Sequence, residues 1–593
     1  MNFARRHVAV LGMGALLLAS PARAQQDVVA KAMRDEMARS VAQLKWQEMP
    51  KPYFLAYRVD EFEEVVASAS LGALTSSQAR RARQFSLELR VGDYNLDNSN
   101  YFSFQGFSPY MSRMMQGAQQ LPLDNDYREI RRQIWLATDA EYKKAVEDLA
   151  GKQAALQNRQ RTEEVPDFSR EEPATIEEPR TPETADRAAL EKLAREVSSL
   201  FRKAPQVTLS SVDLRFNGQY TRYLNSEGAW FTRSRPIVYL QVKAETRAAD
   251  GMPLDDSLEF FGRTVSDLPP AQQLKAAVEE MIARLKKVGE APFLERYNGP
   301  VLFEDEAAAE VFAQAFAPGL GAVRAPLSDN PQFEVMYERM MSETGVSLMD
   351  KLGGRVLPDS MDLVDQPALE KFGDVRLPAS YRVDDDGVPT REVHLIEKGM
   401  LKTLLMTRTP VHSLRRSSGS RRGWGPAPAN LVLSSSKASS REELRAELLR
   451  RAKLRGSEFG IVVRRVHTGA AGLLGMARAM ASARRGAPSA AMLEVYKLYS
   501  DGREELVRGA ELSGVTSATF RDIVAAGNSP VVHSQIFLSL GGAIFSPGAM
   551  AAAQNPPITS YIVPALLFEE FTLKKSSGAF AGPPASPPPP MGE

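Results

Sequence analysis

The chain has 593 residues, 43% of them hydrophobic and 25% charged, with a formal net charge of +1. That length suits two or three domains with sizeable cores, and the balanced charge gives no reason to expect nucleic acid or an acidic membrane surface as partner. No cysteine occurs, which excludes disulfides, thiolate zinc sites, a Cys-linked lipid anchor and a Cys nucleophile together.

Residues 1–24 read as a signal peptide. Arg5, Arg6 and His7 form a basic start, Val8 to Ser20 is a short apolar run, and Ala22-Arg23-Ala24 supplies the small residues of a cleavage site. The run is shorter than the roughly 20 residues that a membrane-spanning helix needs, and no later segment reaches that length. A periplasmic or secreted product, with no transmembrane segment after cleavage, is expected.

Helical spacing of Val28, Val29, Met33, Met37, Val41 and Leu44 predicts a first helix, which Pro50 and Pro52 close. Strands are predicted over Tyr53–Val59, Val65–Leu71 and Gln84–Val91, then a long charged helix from Tyr127 to Gln157. Residues 25–158 form the first part of an N-terminal domain. The stretch 159–186 holds Pro, Glu, Arg and Thr with almost no large apolar residue, and is predicted to be a mobile linker or long loop. Residues 187–290 resume with a helix from Ala188, strands over Val207–Phe216, Thr221–Leu224 and Ile237–Ala244, a turn at Asn225-Ser-Glu-Gly228, and a helix from Pro270 to Val288.

The second half, 298–575, opens on Asn298-Gly299-Pro300 and the apolar run Val301-Leu-Phe303. A helix follows over Ala307–Phe316, with Glu304, Asp305 and Glu306 at its positive end. Further strands are predicted over Ser380–Val383, Glu392–Ile396, Leu401–Thr407, Met492–Tyr499, Leu506–Leu512, Val531–Leu540 and Phe568–Lys574. Ser440-x-x-Glu443 is a capping box. Gly469 to Met492, rich in Ala, Gly and Met, suits either a packed helix or an adaptable docking surface. Residues 576–593 form a Pro-rich, disordered tail. Strands come in runs with helices grouped between them, which gives an α+β fold: an N-terminal mixed α/β domain and a strand-rich C-terminal domain.

Tyr381-Arg-Val-Asp-Asp-Asp-Gly-Val-Pro-Thr390, with Val393-His-Leu-Ile-Glu-Lys-Gly-Met-Leu-Lys-Thr-Leu-Leu405, resembles a motif of the TldD/PmbA family of metallopeptidase-related proteins. Ser418-Gly-Ser-Arg-Arg-Gly-Trp-Gly-Pro426 falls where that family carries an Arg-rich loop. The zinc-bearing branch has H-E-x-x-x-H on a helix and a distal Cys, a donor set suited to Zn²⁺ with the Glu as general base. Here the same place reads Asp305-Glu306-Ala307-Ala308-Ala309-Glu310. Only Glu306 matches, so the chain looks closer to the PmbA-like branch, which lacks the motif and is thought to partner a TldD-like subunit. The resemblance therefore implies no catalytic residue (Glu306 being the degenerate position) and no metal at Asp305 or Glu310. No cofactor is expected, with zinc entering only if the non-catalytic reading fails.

Taken without that resemblance, Asp305, Glu306 and Glu310 could hold a hard cation, but read first as a solvated acidic helix start favoured by the helix dipole. His394, His412, His467 and His533 lie far apart, with no pair at helical ligand spacing, although scattered histidines can converge in a fold. Arg415, Arg416, Arg421 and Arg422 beside Trp424 suit either a solvated basic loop or a cleft that grips a peptide carboxylate; Arg421, Arg422 and Trp424 are the cleft candidates. There is no G-x-S-x-G, no G-x-x-x-x-G-K-[ST] and no H-E-x-x-H. The expected function is an exported, non-catalytic partner subunit or peptide-binding protein in proteolysis, meeting a zinc-bearing TldD-like subunit or a second copy of itself. The alternatives are a hydrolase with a carboxylate/His site and a structural or binding protein of the envelope.

Overall fold

The structure, a computed structural model, describes residues 27–103, 119–157, 165–181, 185–343, 347–423, 425–466, 490–512, 515–537 and 556–575. The leader, the C-terminal tail, Trp424, His467 and most of the Gly469–Met492 stretch lie outside the described residues. Among those described, no helix is long and apolar enough to cross a membrane.

The N-terminal half is built on one mainly antiparallel sheet backed by helices. Helix α1 (Val28–Gln43) starts where the Asp27 side chain accepts from the Ala30 N–H at 3.0 Å. Strands β1 (Pro52–Ser70) and β2 (Ala73–Val91) form a hairpin closed by Leu71 and Gly72, both at positive φ, the geometry a two-residue hairpin turn needs. Helix α2 (Tyr127–Gln157) follows, then β3 (Thr175–Glu177), α3 (Arg187–Ser198), β4 (Val207–Asn225), β5 (Trp230–Arg247), β6 (Pro253–Gly262) and α4 (Ala271–Glu290). β1 lies between β2 and β4, and β5 follows β4, so the segments on either side of 159–186 build a single sheet.

Alternation places the odd-numbered residues of β1 on one face. Leu55, Tyr57 and Val59 pack under α1 and α2, whereas Val65, Ala67 and Ala69 pack with α3 and α4. Phe54 and Ala56 point the other way, into a cluster with Phe168, Phe231 and Val383. Two predicted strands merge into β1, because the charged stretch between them is paired across the ladder. Glu61, Glu63 and Glu64 stand opposite Arg83, Arg81 and Arg80, with ion pairs of 3.0, 3.0 and 3.3 Å.

The C-terminal half is layered. A six-stranded and an eight-stranded sheet enclose helix α5 (Glu306–Ala315), whose Ala307, Ala308, Val311 and Phe312 are buried in the main core. Helix α6 (Arg441–Leu454), opened by the predicted Ser440/Glu443 capping box, packs Leu444 and Leu448 over Leu302, Val462 and Leu567 of the larger sheet. These elements confirm the α+β expectation.

Two expectations change. Residues 165–181 of the supposed mobile linker are packed: Asp167, Phe168 and Ser169 are buried, and β3 runs parallel to the start of β5. Few apolar residues are needed there, since backbone pairing and satisfied charges do the anchoring. Ser380–Val383 is also not a strand. The Asp384 carboxylate accepts from the N–H groups of Asp386 and Val388, both at 2.9 Å, and folds the chain into a turn. In the following pair only Val393–Glu397 and Met400–Leu401 are extended.

That turn fastens the two halves together. Asp385 accepts from Arg233 at 2.6 Å and pairs with Arg58 at 3.0 Å, both on the N-terminal sheet. Its other oxygen accepts from the Gly423 N–H at 2.7 Å. Burial raises its pKa, but Arg58 and Arg233 more than reverse this and hold the carboxyl well below the ordinary range. Asp386 pairs with Arg421 at 2.8 Å, and the Tyr223 hydroxyl donates to the Asp386 carbonyl at 3.0 Å. Gly387, at φ +77°, leaves no room for a side chain, since a Cβ would lie 2.7 Å from the Tyr223 ring.

Asp385→Asn is expected to lower unfolding stability at pH 7 by about 3 kcal/mol, because Arg233 loses its buried counter-charge and Arg58 keeps only Asp60. Because the folded-state pKa lies below the ordinary 3.8, the wild-type contribution is present above that pH and fades as pH falls below it. Urea denaturation at pH 7 and pH 3 checks both points, with the gap between variant and wild type narrowing at the lower pH. Equal stability at pH 7 would contradict this assignment.

Candidate functional site

The run from 297 to 310 goes from a buried strand, β7 (Tyr297–Phe303), straight into α5. Asp305 makes the corner at φ 51°. The three acids there have different fates. Glu304 is buried and accepts from Arg441 at 2.6 Å, from Arg445 at 2.7 and 3.0 Å, and from Arg464 at 3.3 Å. Burial pushes its carboxyl up, but the hydrogen bonds from Arg445 and Arg441 prevail and bring it to about 2. Asp305 is exposed and pairs with Arg441 at 3.2 Å.

Glu306 and Glu310 lie one turn apart on the same face of α5. The Glu310 carboxyl is buried and accepts from the Val466 N–H at 2.8 Å. Burial, partly offset by Arg465 and reinforced by Glu306, raises it to about 8. Glu306 lies 3.5 Å from Arg465. Arg465 in turn pairs with Asp256 of β6 at 3.3 Å and donates to the Ser257 carbonyl at 2.7 Å. Arg284 of α4 closes the chain onto Asp256 at 2.7 Å. Acid and base therefore alternate from the N-terminal half into α5.

His533 comes to the same place from strand Val531–Ile536, with its Nε2 3.4 Å from the Gln535 Oε1. Among the described residues, Glu306, Glu310 and His533 form a group whose ligand-capable atoms all lie within 4.8 Å of one another. Sequence spacing missed His533, because more than 220 residues separate it from Glu306 and Glu310 in the chain. Its only local signal is its place on a strand.

The donor set does not fit the zinc site of the zinc-bearing branch. Asp305, at the first His position, is turned out to Arg441, there is no cysteine, and Arg465 already supplies positive charge beside Glu306. What remains is two carboxylates and an imidazole, which suit Mn²⁺ or Mg²⁺ better than a thiolate-type zinc centre.

The basic loop divides in two. Arg421 is held by Asp386 and lies 3.3 Å from Glu88. Arg422 is buried, donating to the carbonyls of Pro428 and Ile558 with its guanidinium over Tyr381. These two cleft candidates serve the packing between strands and halves, and Trp424 lies outside the described residues. Arg415 and Arg416, with Arg391 and His394, instead line a cleft of about 510 Å³. There His394 faces Glu392 at 2.9 Å, and Arg416 pairs with Glu171 at 2.9 Å.

Residues 296–575 match the family of PmbA/TldA metallopeptidase C-terminal domains. That C-terminal part of the chain belongs to the TldD/PmbA family. Its fold is similar to that of a candidate modulator of a DNA gyrase from Thermotoga maritima (19% identity, TM-score 0.55, covering 91% of this chain and 100% of that one). It is also similar to TldE from Thermococcus kodakarensis (15% identity, TM-score 0.53, 92% and 100%). A further candidate gyrase modulator, from Bacteroides thetaiotaomicron, shares the fold at 12% identity (TM-score 0.51, 92% and 98%). No curated protein matches the sequence. The similarity to solved structures spans both halves and extends the shared fold beyond the matched C-terminal domain.

Glu304→Gln is expected to destabilise the protein by about 2 kcal/mol at pH 7, less than the full shift implies because water partly screens the arginines. Its folded pKa is depressed, so the wild-type contribution is present above 4.5 and is lost as pH falls towards about 2. Thermal denaturation between pH 7 and pH 2.5 should show wild type and variant converging at the acid end. A constant gap would contradict the assignment.

Proposed function

We propose that this TldD/PmbA-family chain is an exported, non-hydrolytic member that holds peptides, or a zinc-bearing relative, during proteolysis. The observation that carries the reading is the state of α5: Asp305 and Glu306 are each engaged by arginine, and Glu310 is buried against the Val466 N–H, where the zinc-bearing branch presents metal ligands and a free base. A carboxylate that must first leave a guanidinium is a poor base, and Glu310 is held in its protonated form by burial. The basic cleft beside Arg415 and Arg416 offers a place for a carboxylate-bearing peptide.

A second reading is favoured by the convergence of Glu306, Glu310 and His533. It makes α5 the seat of an oxygen-rich divalent cation, whose binding would expel the Glu310 proton. Isothermal titration of the purified protein with Mn²⁺ should show no binding under the first reading. Binding that His533→Ala removes would establish the second.

For the main reading, the mature protein should bind an unstructured peptide mixture without cleaving it. It should also retain a relative bearing H-E-x-x-x-H when both are expressed together. Chelator-sensitive cleavage by the chain alone would overturn the proposal.

A further inference from the structure

Residues 165–178 are held differently from the elements around them. The segment contributes few apolar side chains of its own, Val165, Phe168 and Ile176, and carries Pro166 and Pro173. Such a composition does not order itself and takes its conformation from what it lies against. Here it runs between the two halves of the molecule and is gripped at nearly every position.

Asp167 enters a charged pocket. Its carboxylate accepts from Lys152 at 2.6 Å and from the Asp97 N–H at 2.8 Å, and pairs with Arg324 at 3.0 Å. Phe168 fills an aromatic box, 4.8 Å from Phe54 between ring centroids, with the guanidinium carbons of Arg90 and Arg408 within 3.8 and 3.9 Å of its centroid. The backbone is read as well. The N–H groups of Asp167 and Phe168 donate to the Tyr94 carbonyl, the Ser169 N–H donates to the Arg408 carbonyl, and Arg408 donates back to the Ser169 carbonyl at 2.6 Å. Four residues after Asp167, Glu171 accepts from the Ser417 N–H at 2.8 Å and from Arg416 at 2.9 Å, at the rim of the basic cleft. Thr175–Glu177 then adds a strand to β5 along Trp230–Thr232, the stretch that β6 leaves open by pairing only from Val238 onward.

Strand addition, alternating side-chain pockets and an anchored aromatic are how folded domains take extended peptides. We infer that residues 165–178 are an internal ligand. They occupy a groove between the halves that takes extended peptides carrying an acid, an adjacent aromatic and a second acid four positions after the first. This inference rests on the peptide-binding reading above and names the peptide class for it. Tethering sets the segment at an effective concentration in the millimolar range, so an outside peptide of the same kind binds weakly until the segment leaves.

The test uses the full mature chain with protease sites placed within 158–164 and 182–184, cut at both, diluted and filtered to remove the freed segment. A fluorescent synthetic copy of 165–181 is then titrated. The cut protein should keep its circular dichroism and bind the copy roughly a hundredfold more tightly than the uncut chain does. Copies carrying Asp167→Ala or Phe168→Ala should bind roughly tenfold more weakly. Unfolding on cutting would show that the segment belongs to the framework, and would overturn the inference. So would a folded, emptied protein that ignores the copy, or one that binds the Phe168→Ala copy equally well. An unstructured peptide mixture separates the two proposals. If the copy binds and the mixture neither binds nor competes, the internal ligand stands and the role in proteolysis falls. If the mixture binds the uncut chain and the copy does not displace it, the reverse holds.

Discussion

The junction between the two halves turns on one carboxylate. Asp385 sits on a turn of the C-terminal half, 9% exposed, and pairs with two arginines of the N-terminal sheet, Arg233 and Arg58, the latter also held by Asp60 at 2.8 Å. The dependence is mutual: removing either side leaves a charge in a poorly hydrated junction, which costs more than the pair gains over an apolar contact. Because Arg58 and Arg233 stand on β1 and β5, the two long strands that flank β4, the turn grips the sheet across three strands. The sheet carries Asp256 on β6, and through it Arg465, to the face of α5.

The same principle runs through the site. Where the zinc-bearing relatives use a helix to present free donors, this chain surrounds the helix start with Arg441, Arg445, Arg464 and Arg465. Each acid is either paired or kept neutral by burial, so the helix keeps its place in the core without exposing an unsatisfied charge there. Under the proposed non-hydrolytic reading, such an arrangement preserves the shape of a metallopeptidase half while withdrawing the groups that would do its chemistry. The conserved frame and the altered donor set are thus compatible, since fold and chemistry are fixed by different residues.

Much of the frame was legible in the sequence. The helix over 28–43, the turn at Asn225–Gly228, the capping box at Ser440 and the start of α5 were all marked by local signals, because each is settled by residues within a turn or two. The long strands were read in pieces, since periodicity treats a run such as Asp60-Glu-Phe-Glu-Glu64 as an interruption, and only its partner strand shows the charges to be paired. The Asp384–Gly387 motif was recognised by resemblance, but not that it is a turn joining two halves, because its arginine partners lie more than 140 residues away on one side and about 40 on the other. The convergence of His533 on α5 is non-local in the same way. Residues 165–181 misled for a different reason: composition tells whether a segment orders itself, and says nothing of a groove prepared for it elsewhere.

The central claim is that α5 has exchanged metal binding for arginine pairing. Elemental mass spectrometry on the mature protein, purified without chelator, tests it most directly. The account predicts zinc and other transition metals far below one equivalent per chain. Near one equivalent, lost in His533→Ala or Glu310→Gln, would contradict it and make Glu306, Glu310 and His533 a working metal centre.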